Sequence, residues 1–421
     1  MAIVVSSSPP KGFFLPVAGS VILKKKEWTC IHQEVIFLIT FFCPRCGSIF
    51  GGTVRPVGCS CGAPLKSSID WTDLDIDQSA PGMARYASAL PPLDPAVSMG
   101  EGWTPIVRST TGGPFYKLEY LSPSGSFKDR GSVLVMTEAK ALGCGSVIQD
   151  SSGNAGASIA AYAARCGIKA TVIVPRDITE AKKRQIELYG AVLEVVEGDR
   201  KTAASLALSL SDSTYYASHV WNPLFLEGTK TVAFEIWEQL HFRAPDAVVV
   251  PAGNGTMLLG VFKGFKELLQ RVRIKRLPRI YAVQGSHCAP LHAQWNETGE
   301  KVFGGTLAEG IAVTDPPRMK EMLDALRVSR GDVLVVEDET ILLEQERLAL
   351  EEGLLVEPSA AVAPAAERML RGAGMISSGE TVVVPLTGSG LKKIPSRRPK
   401  KQASPDEGRP LFDNLGRKIR G

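Results

Sequence analysis

The stretch whose reading decides the fold runs from residue 145 to residue 174. It begins with Gly145–Gln149 (GSVIQ) and continues through Asp150-Ser151-Ser152-Gly153-Asn154-Ala155-Gly156. An Ala-rich run to Cys166 follows, and then Ala170–Val174 (ATVIV). The outer pieces are short, continuous apolar runs that predict strands buried on both faces, as in a parallel sheet. The run over 154–166 predicts a helix. The polar loop between them predicts an anion site, because hydroxyls and free backbone N–H groups gather where a strand hands over to a helix. A simple N-cap also uses Ser or Asn, but it needs one such residue, not a run of polar and Gly positions.

The same alternation continues outward. Strands are predicted at 192–196, 246–250, 280–284 and 381–385, with helices near 179–189, 200–210 and 257–269. The fold class is therefore α/β, two-lobed, with parallel or mixed sheets flanked by helices. The catalytic region spans 67–395, its smaller lobe roughly 130–240, and 67–100 reads as a Pro-, Ser- and Asp-rich linker within it. Ligands of such sheets sit outside the carboxyl ends of strands, so the loops there carry the information.

Four such loops stand out. Ser124–Gly131 (SGSFKDRG) places Lys128 just before an apolar helical stretch. The positive end of a helix dipole disfavours an exposed cation, which suits a lysine that must lose its proton and act as a nucleophile. The second loop is 150–156. The third, Pro251-Ala252-Gly253-Asn254-Gly255-Thr256, is a strand–Gly loop–helix of the kind that cradles a phosphate, and it is neither a Walker loop nor GxGxxG. The fourth, Pro385–Gly390 (PLTGSG), offers a neutral hydroxyl, Thr387. An amine, a carboxylate site, a phosphate cradle and a hydroxyl are what pyridoxal phosphate and an amino-acid substrate require.

With these motifs, residues 101–395 resemble the fold-type II pyridoxal-phosphate enzymes. GEGWTP (100–105), SFKDRG, SSGNAG, EGTKTVAFEI (227–236) and LTGSGLK (386–392) resemble the threonine synthases most. The resemblance implies that Lys128 forms the Schiff base and acts as acid and base. It implies that Asn154 bonds the ring hydroxyl, and that Gly253, Asn254, Gly255 and Thr256 hold the cofactor phosphate. Thr387 would face the pyridine nitrogen, and Ser151, Ser152, Gly153 and Ala155 would hold the substrate carboxylate. The implied reaction converts O-phosphohomoserine and water to threonine and phosphate. The alternative is another fold-type II lyase or β-replacement enzyme, dehydratase-like or cysteine/cysteate synthase-like.

The chain departs from the family at His219-Val220-Trp221-Asn222-Pro223-Leu224-Phe225. Threonine synthases usually show Asn-Ser-x-Asn-Pro-x-Arg there. His219 and Asn222 remain candidates for the substrate phosphate, whereas Phe225 stands where the Arg would be. Lys182, Lys183 and Arg184 are open to two readings, a compensating cation set or a solvated helix face.

Upstream, Cys43-Pro44-Arg45-Cys46 and Cys59-Ser60-Cys61 form CxxC…CxC. Four thiolates at that spacing can make a closed, structural Zn²⁺ site on two knuckles, and a similar zinc-ribbon-like segment occurs in some threonine synthases. That segment is expected at 43–66, after an unassigned extension over 1–42 and ahead of the catalytic region. Residues 396–421 are expected to be a basic, disordered tail. Cys144, Cys166 and Cys288 read as core residues.

The 421 residues carry 48 Lys+Arg against 44 Asp+Glu, a net charge of +4. That is no sign of nucleic-acid binding. The longest apolar run, Val35–Phe42, is too short to span a bilayer. The clustered cysteines suggest a reducing, cytoplasmic compartment. The expected partner is a small amino-acid substrate, with no nucleic acid or membrane, and the family suggests a homodimer.

Overall fold

The computed structural model describes residues 21–24, 36–50, 56–151, 153–176, 180–299 and 303–392. Ser152 and the tail expected at 396–421 lie outside the described residues.

The decisive stretch folds as its pattern predicts. Ser146–Gln149 (β7) leads into Asn154–Cys166 (α2), which returns to Lys169–Pro175 (β8). Gly167 closes α2 in the left-handed conformation at φ 69°, the usual C-terminal stop. Val192–Val196 (β9) and Tyr215–Tyr216 (β10) complete a four-stranded parallel sheet in the order β10-β7-β8-β9. Glu180–Leu188 (α3) and Arg200–Leu210 (α4) complete its connections. β9 differs from expectation: it is an edge strand, and Val192 and Val195 are exposed. Periodicity cannot distinguish an apolar edge strand from a buried one.

The second sheet has six strands in the order β13-β12-β11-β14-β6-β5. These are Ile106–Arg108 (β5), Phe115–Lys117 (β6), Ala247–Pro251 (β11), Arg279–Gly285 (β12), Asp332–Val336 (β13) and Val382–Pro385 (β14). All pairings are parallel except β5 with β6. Every residue of β11 and β14 is buried, as central parallel strands require. Thr256–Gln270 (α7) and Pro358–Gly372 (α11) flank β11 and β12.

A third, antiparallel sheet joins Val21–Lys24 (β1), Ile36–Phe42 (β2), Ile49–Phe50 (β3) and Lys66–Ile69 (β4). The cysteine segment therefore belongs to a sheet that reaches beyond 43–66 on both sides. The apolar run that could not span a membrane supplies its central strand. Among the described residues, no helix is long and apolar enough to cross a membrane.

The segment read as a linker is also packed. Gly82–Ala89 is a 3-10 helix that buries Met83, Arg85 and Tyr86. Arg85 pairs with Glu238, and Tyr86 donates to the same carboxylate at 2.7 Å.

Candidate active site

Asp129–Ala141 (α1) begins immediately after Lys128. Asp129 fastens this start from two sides. Its carboxylate accepts from Ser124 N–H at 2.6 Å, from the Ser124 hydroxyl, and from Ser158 Oγ on α2. Arg130 points the other way into a fully buried charge cluster. It donates to both oxygens of Glu119 at 2.7 Å and to Glu235, which also accepts from Lys117 at 2.6 Å. Two cations and two carboxylates with no solvent exposure cancel locally. Burial alone would raise the Glu235 pKa, but Arg130 and Lys117 hold it down to about 2.

Lys128 is thus presented to a cavity of about 930 Å³. Its Nζ donates to Thr256 Oγ1 at 3.0 Å. Burial pushes the ammonium pKa down to about 7, and Glu357 opposes that shift. The amine is therefore partly neutral near pH 7, as a nucleophilic lysine must be.

Ser151 and Gly153, from the loop after β7, and Asn154 and Ala155, at the start of α2, line the same cavity. The loop doubles back so tightly that a Cβ on Gly156 would lie 1.9 Å from the Ser151 carbonyl oxygen. Gly253, Asn254, Gly255 and Thr256 line it from the end of β11, and Thr387 from the end of β14. Gly255 stands before α7 at φ 83°, and no side chain caps that helix. A Cβ there would meet Met322 Sδ at 2.4 Å. The first N–H groups of such a helix lack intrahelical partners and favour an anion.

His219 lines the cavity with its Nε2 3.3 Å from Asn254 Nδ2. Burial holds its pKa well below the ordinary value, and Lys128 adds to the effect, so this imidazole is neutral. Asn222 does not reach the cavity. Its amide donates to Tyr215 Oη at 2.8 Å, and its oxygen accepts from Leu224 N–H at 3.0 Å. It holds the start of Leu224–Thr229 (α5) in place. Phe225 is fully buried, and its ring fills the space beside Gly131 that a Cβ would need.

Lys183 and Arg184 are not on the cavity wall, and Lys182 falls outside the described side chains. Among the described residues, the cations that line it besides Lys128 are Arg200 and Lys201 at the start of α4, and Lys392. Sequence reasoning missed these. It also missed Glu357, which precedes α11, accepts from Asn154 Nδ2 at 2.8 Å and acts on Lys128. An acid before Pro358 reads as an ordinary helix start, so only its place in space distinguishes Glu357.

The donor set suits pyridoxal phosphate. There is a buried amine of lowered basicity, an uncapped helix start behind a left-handed glycine, and room for cofactor and substrate together.

The family described as "Pyridoxal-phosphate dependent enzyme" matches residues 97–388. The threonine synthase of Methanocaldococcus jannaschii is 33% identical over 372 residues, spanning 83% of this chain and 92% of that protein. The threonine synthase of Mycobacterium bovis is 36% identical over 328 residues, spanning 75% and 89%. The chain belongs to the threonine synthase family of pyridoxal-phosphate-dependent enzymes.

Solved structures share the family's fold at lower identity. O-ureido-L-serine synthase superposes with a TM-score of 0.60 at 23% identity, over 72% of this chain and 95% of that one. A T.th. threonine deaminase superposes with a TM-score of 0.57 at 25% identity, over 70% and 94%. Pyridoxal phosphate is thus the cofactor of the family whose loops line this cavity.

The four thiols form the second candidate centre. The Sγ atoms of Cys43, Cys46, Cys59 and Cys61 all lie within 4.8 Å of one another. Cys43 Sγ is 3.5 Å from Cys61 Sγ, and Cys46 Sγ is 3.5 Å from Cys59 Sγ. Tetrahedral Zn–S bonds of ~2.3 Å would separate the sulfurs by roughly 3.8 Å, so the set fits a zinc ion. The N–H groups of Arg45 and Cys46 point at Cys43 Sγ at 3.4 and 3.5 Å, a knuckle that favours thiolate. Of the other described cysteines, Cys288 is buried, whereas Cys144 and Cys166 are half-buried.

Proposed function

We propose that the protein is a threonine synthase acting on O-phosphohomoserine and water to release threonine and phosphate. One observation carries this reading: four loop motifs distant in sequence converge on the cavity around Lys128 in a chain of this family. Lys128 would hold the cofactor covalently and afterwards carry a proton at the substrate carbons. Gly253, Asn254, Gly255 and Thr256 would hold the cofactor phosphate. Asn154 would donate to the ring hydroxyl, and Thr387 would meet the ring nitrogen with a neutral hydroxyl. Bound there, the cofactor supplies an electron sink for carbanion chemistry.

The backbone around Ser151, Gly153 and Ala155 would hold the substrate carboxylate. Neutral His219 would donate one hydrogen bond to the substrate phosphate. Arg200 and Lys201 would contribute the charge that Phe225 cannot. Phe225 is also the observation that favours a second reading, a dehydratase-like or cysteine synthase-like enzyme whose substrate carries no phosphate.

Incubating the purified enzyme with O-phosphohomoserine decides between them. Equal release of phosphate and threonine is expected. Ammonia and a keto acid from threonine, without phosphate release, would establish the second reading instead. We also read the cysteine set as a structural Zn²⁺ site, the protein as cytoplasmic, and its assembly as a homodimer, following the family.

A further inference from the structure

The cavity contains a lysine that the reaction described above does not use. Lys392 belongs to the 3-10 turn Gly390–Lys392 and lies on the cavity wall. Its ammonium donates to Asn154 Oδ1 at 3.0 Å. The other end of the same amide, Nδ2, donates to Glu357 Oε1 at 2.8 Å. An ammonium can only donate and a carboxylate can only accept. The two neighbours therefore agree on one orientation of the amide, and each excludes the flipped one.

The backbone is arranged to bring Lys392 there. Its stem crosses the turn at Gly125, where a Cβ would lie 2.8 Å from Lys392 Cε. Ser389 N–H donates to the Gly125 carbonyl at 3.0 Å, and Ser126 bridges Gly388. The turn before Lys128 and the segment bearing Lys392 are thus joined just beyond Thr387. Burial disfavours the Lys392 charge, while Glu357 and Asp129 sustain it.

We infer that Lys392 is a positioning residue for the cofactor. By occupying Asn154 Oδ1 it makes the amide N–H₂ the group presented to the ring oxygen, the role assigned to Asn154 in the proposed function. If the amide flipped, two oxygens would face each other and the hydrogen bond would be lost.

The test uses holoenzyme variants, with cofactor dissociation followed on dilution by loss of the visible Schiff-base band. Lys392→Met should weaken retention about tenfold, the scale of one charge-assisted hydrogen bond. Lys392→Arg, which keeps a donor, should restore most of it. In an Asn154→Ala background, Lys392→Met should have no further effect. Wild-type retention in Lys392→Met overturns the inference. So does a loss that Arg fails to rescue, or one that adds in full to that of Asn154→Ala. If Asn154→Ala alone retains the cofactor normally, the assignment of Asn154 falls, and the inference falls with it.

Discussion

Lys128 shows what burial does to a single residue. Its pKa near 7 is a desolvation effect, with two consequences of known sign. Capture of added cofactor by the apoprotein requires the neutral amine, so its rate should rise through pH ~7 and level off above it. A rate still climbing steeply at pH 9, towards the ordinary lysine value of about 10.4, would refute the shift. The second consequence concerns stability. Below pH 7 the lysine is charged in both folded and unfolded states, and the cost of burying that charge is fully present. Between there and its unfolded pKa, the unfolded chain holds the extra proton, so apoprotein stability rises with pH. The advantage of Lys128→Met over wild type in thermal midpoint should therefore be largest below pH 7 and shrink above it. The same substitution should abolish the Schiff-base absorbance.

Lys128, Asn154 and Thr387 were legible as residues because their loops break the apolar pattern in a chemically pointed way. Arg200 and Glu357 were not: Glu357 looks like an ordinary acid at a helix start, and Arg200 has no Gly- or hydroxyl-rich loop beside it to mark it. If Arg200 meets the substrate phosphate, Arg200→Ala should raise the KM for O-phosphohomoserine about tenfold with a smaller change in kcat, as the loss of a binding contact does. An unchanged KM would remove Arg200 from the substrate site.

At the scale of elements, loops and helices position one another through close approach and buried charge. Gly156 lets the turn after β7 fold back on Ser151. Gly156→Ala would push a methyl group into backbone, which cannot yield as a flexible side chain can. The expected outcome is a loss of about 1–3 kcal/mol with weakened substrate binding, read by denaturant unfolding and KM. Arg130 on α1 is a stronger constraint. Arg130→Met leaves Glu119 and Glu235 sharing only Lys117, and breaking a buried pair in this way costs about 3–5 kcal/mol. A thermal midpoint close to wild type would show that the cluster relaxes.

The EGTK motif has a similar function. Lys230 pairs with Glu227 at 2.6 Å and with Glu267 at 2.9 Å, while Lys263 closes the cluster from α7. Helix and strand positions were legible from periodicity, and α2, α4 and α7 lie within a residue of expectation. These ion clusters were not, since their members are separated by up to 118 residues.

At the scale of the molecule, the cysteine sheet is fastened to the wall of the catalytic cavity. Arg318, fully buried, donates to the Leu65 carbonyl on one side and to the Val220 carbonyl on the other, at 3.0 and 2.8 Å. Ser67 Oγ reaches Glu227 at 2.6 Å, and Lys263 donates to the Ser67 carbonyl at 2.9 Å. Gly58 sits so close to Trp221 that a Cβ would meet its ring at 2.9 Å. Trp221 and His219 lie on the cavity wall. Metal analysis should therefore find one zinc per chain, lost in Cys43→Ser. Chelation should lower the thermal midpoint, because a metal held by the folded thiol set adds its binding free energy to the folded state alone. A metal-free protein of unchanged stability would rule out the structural zinc.

The α/β class, the loops that line the cavity and the lysine among them followed from the sequence alone. Each is written locally, in apolar runs and in glycines and hydroxyls at their ends. The sequence also contained the thiol pairs, whose spacing is itself the signal. Only the tertiary structure showed that Asn222 bonds Tyr215 and Leu224 away from the cavity wall and that the supposed linker is packed. It alone placed Arg200, Glu357 and Lys392 on the cavity wall. The physical reason is that a polar residue's role depends on what its side chain meets, and those partners are brought together by the packing of the sheets rather than by neighbours in the chain.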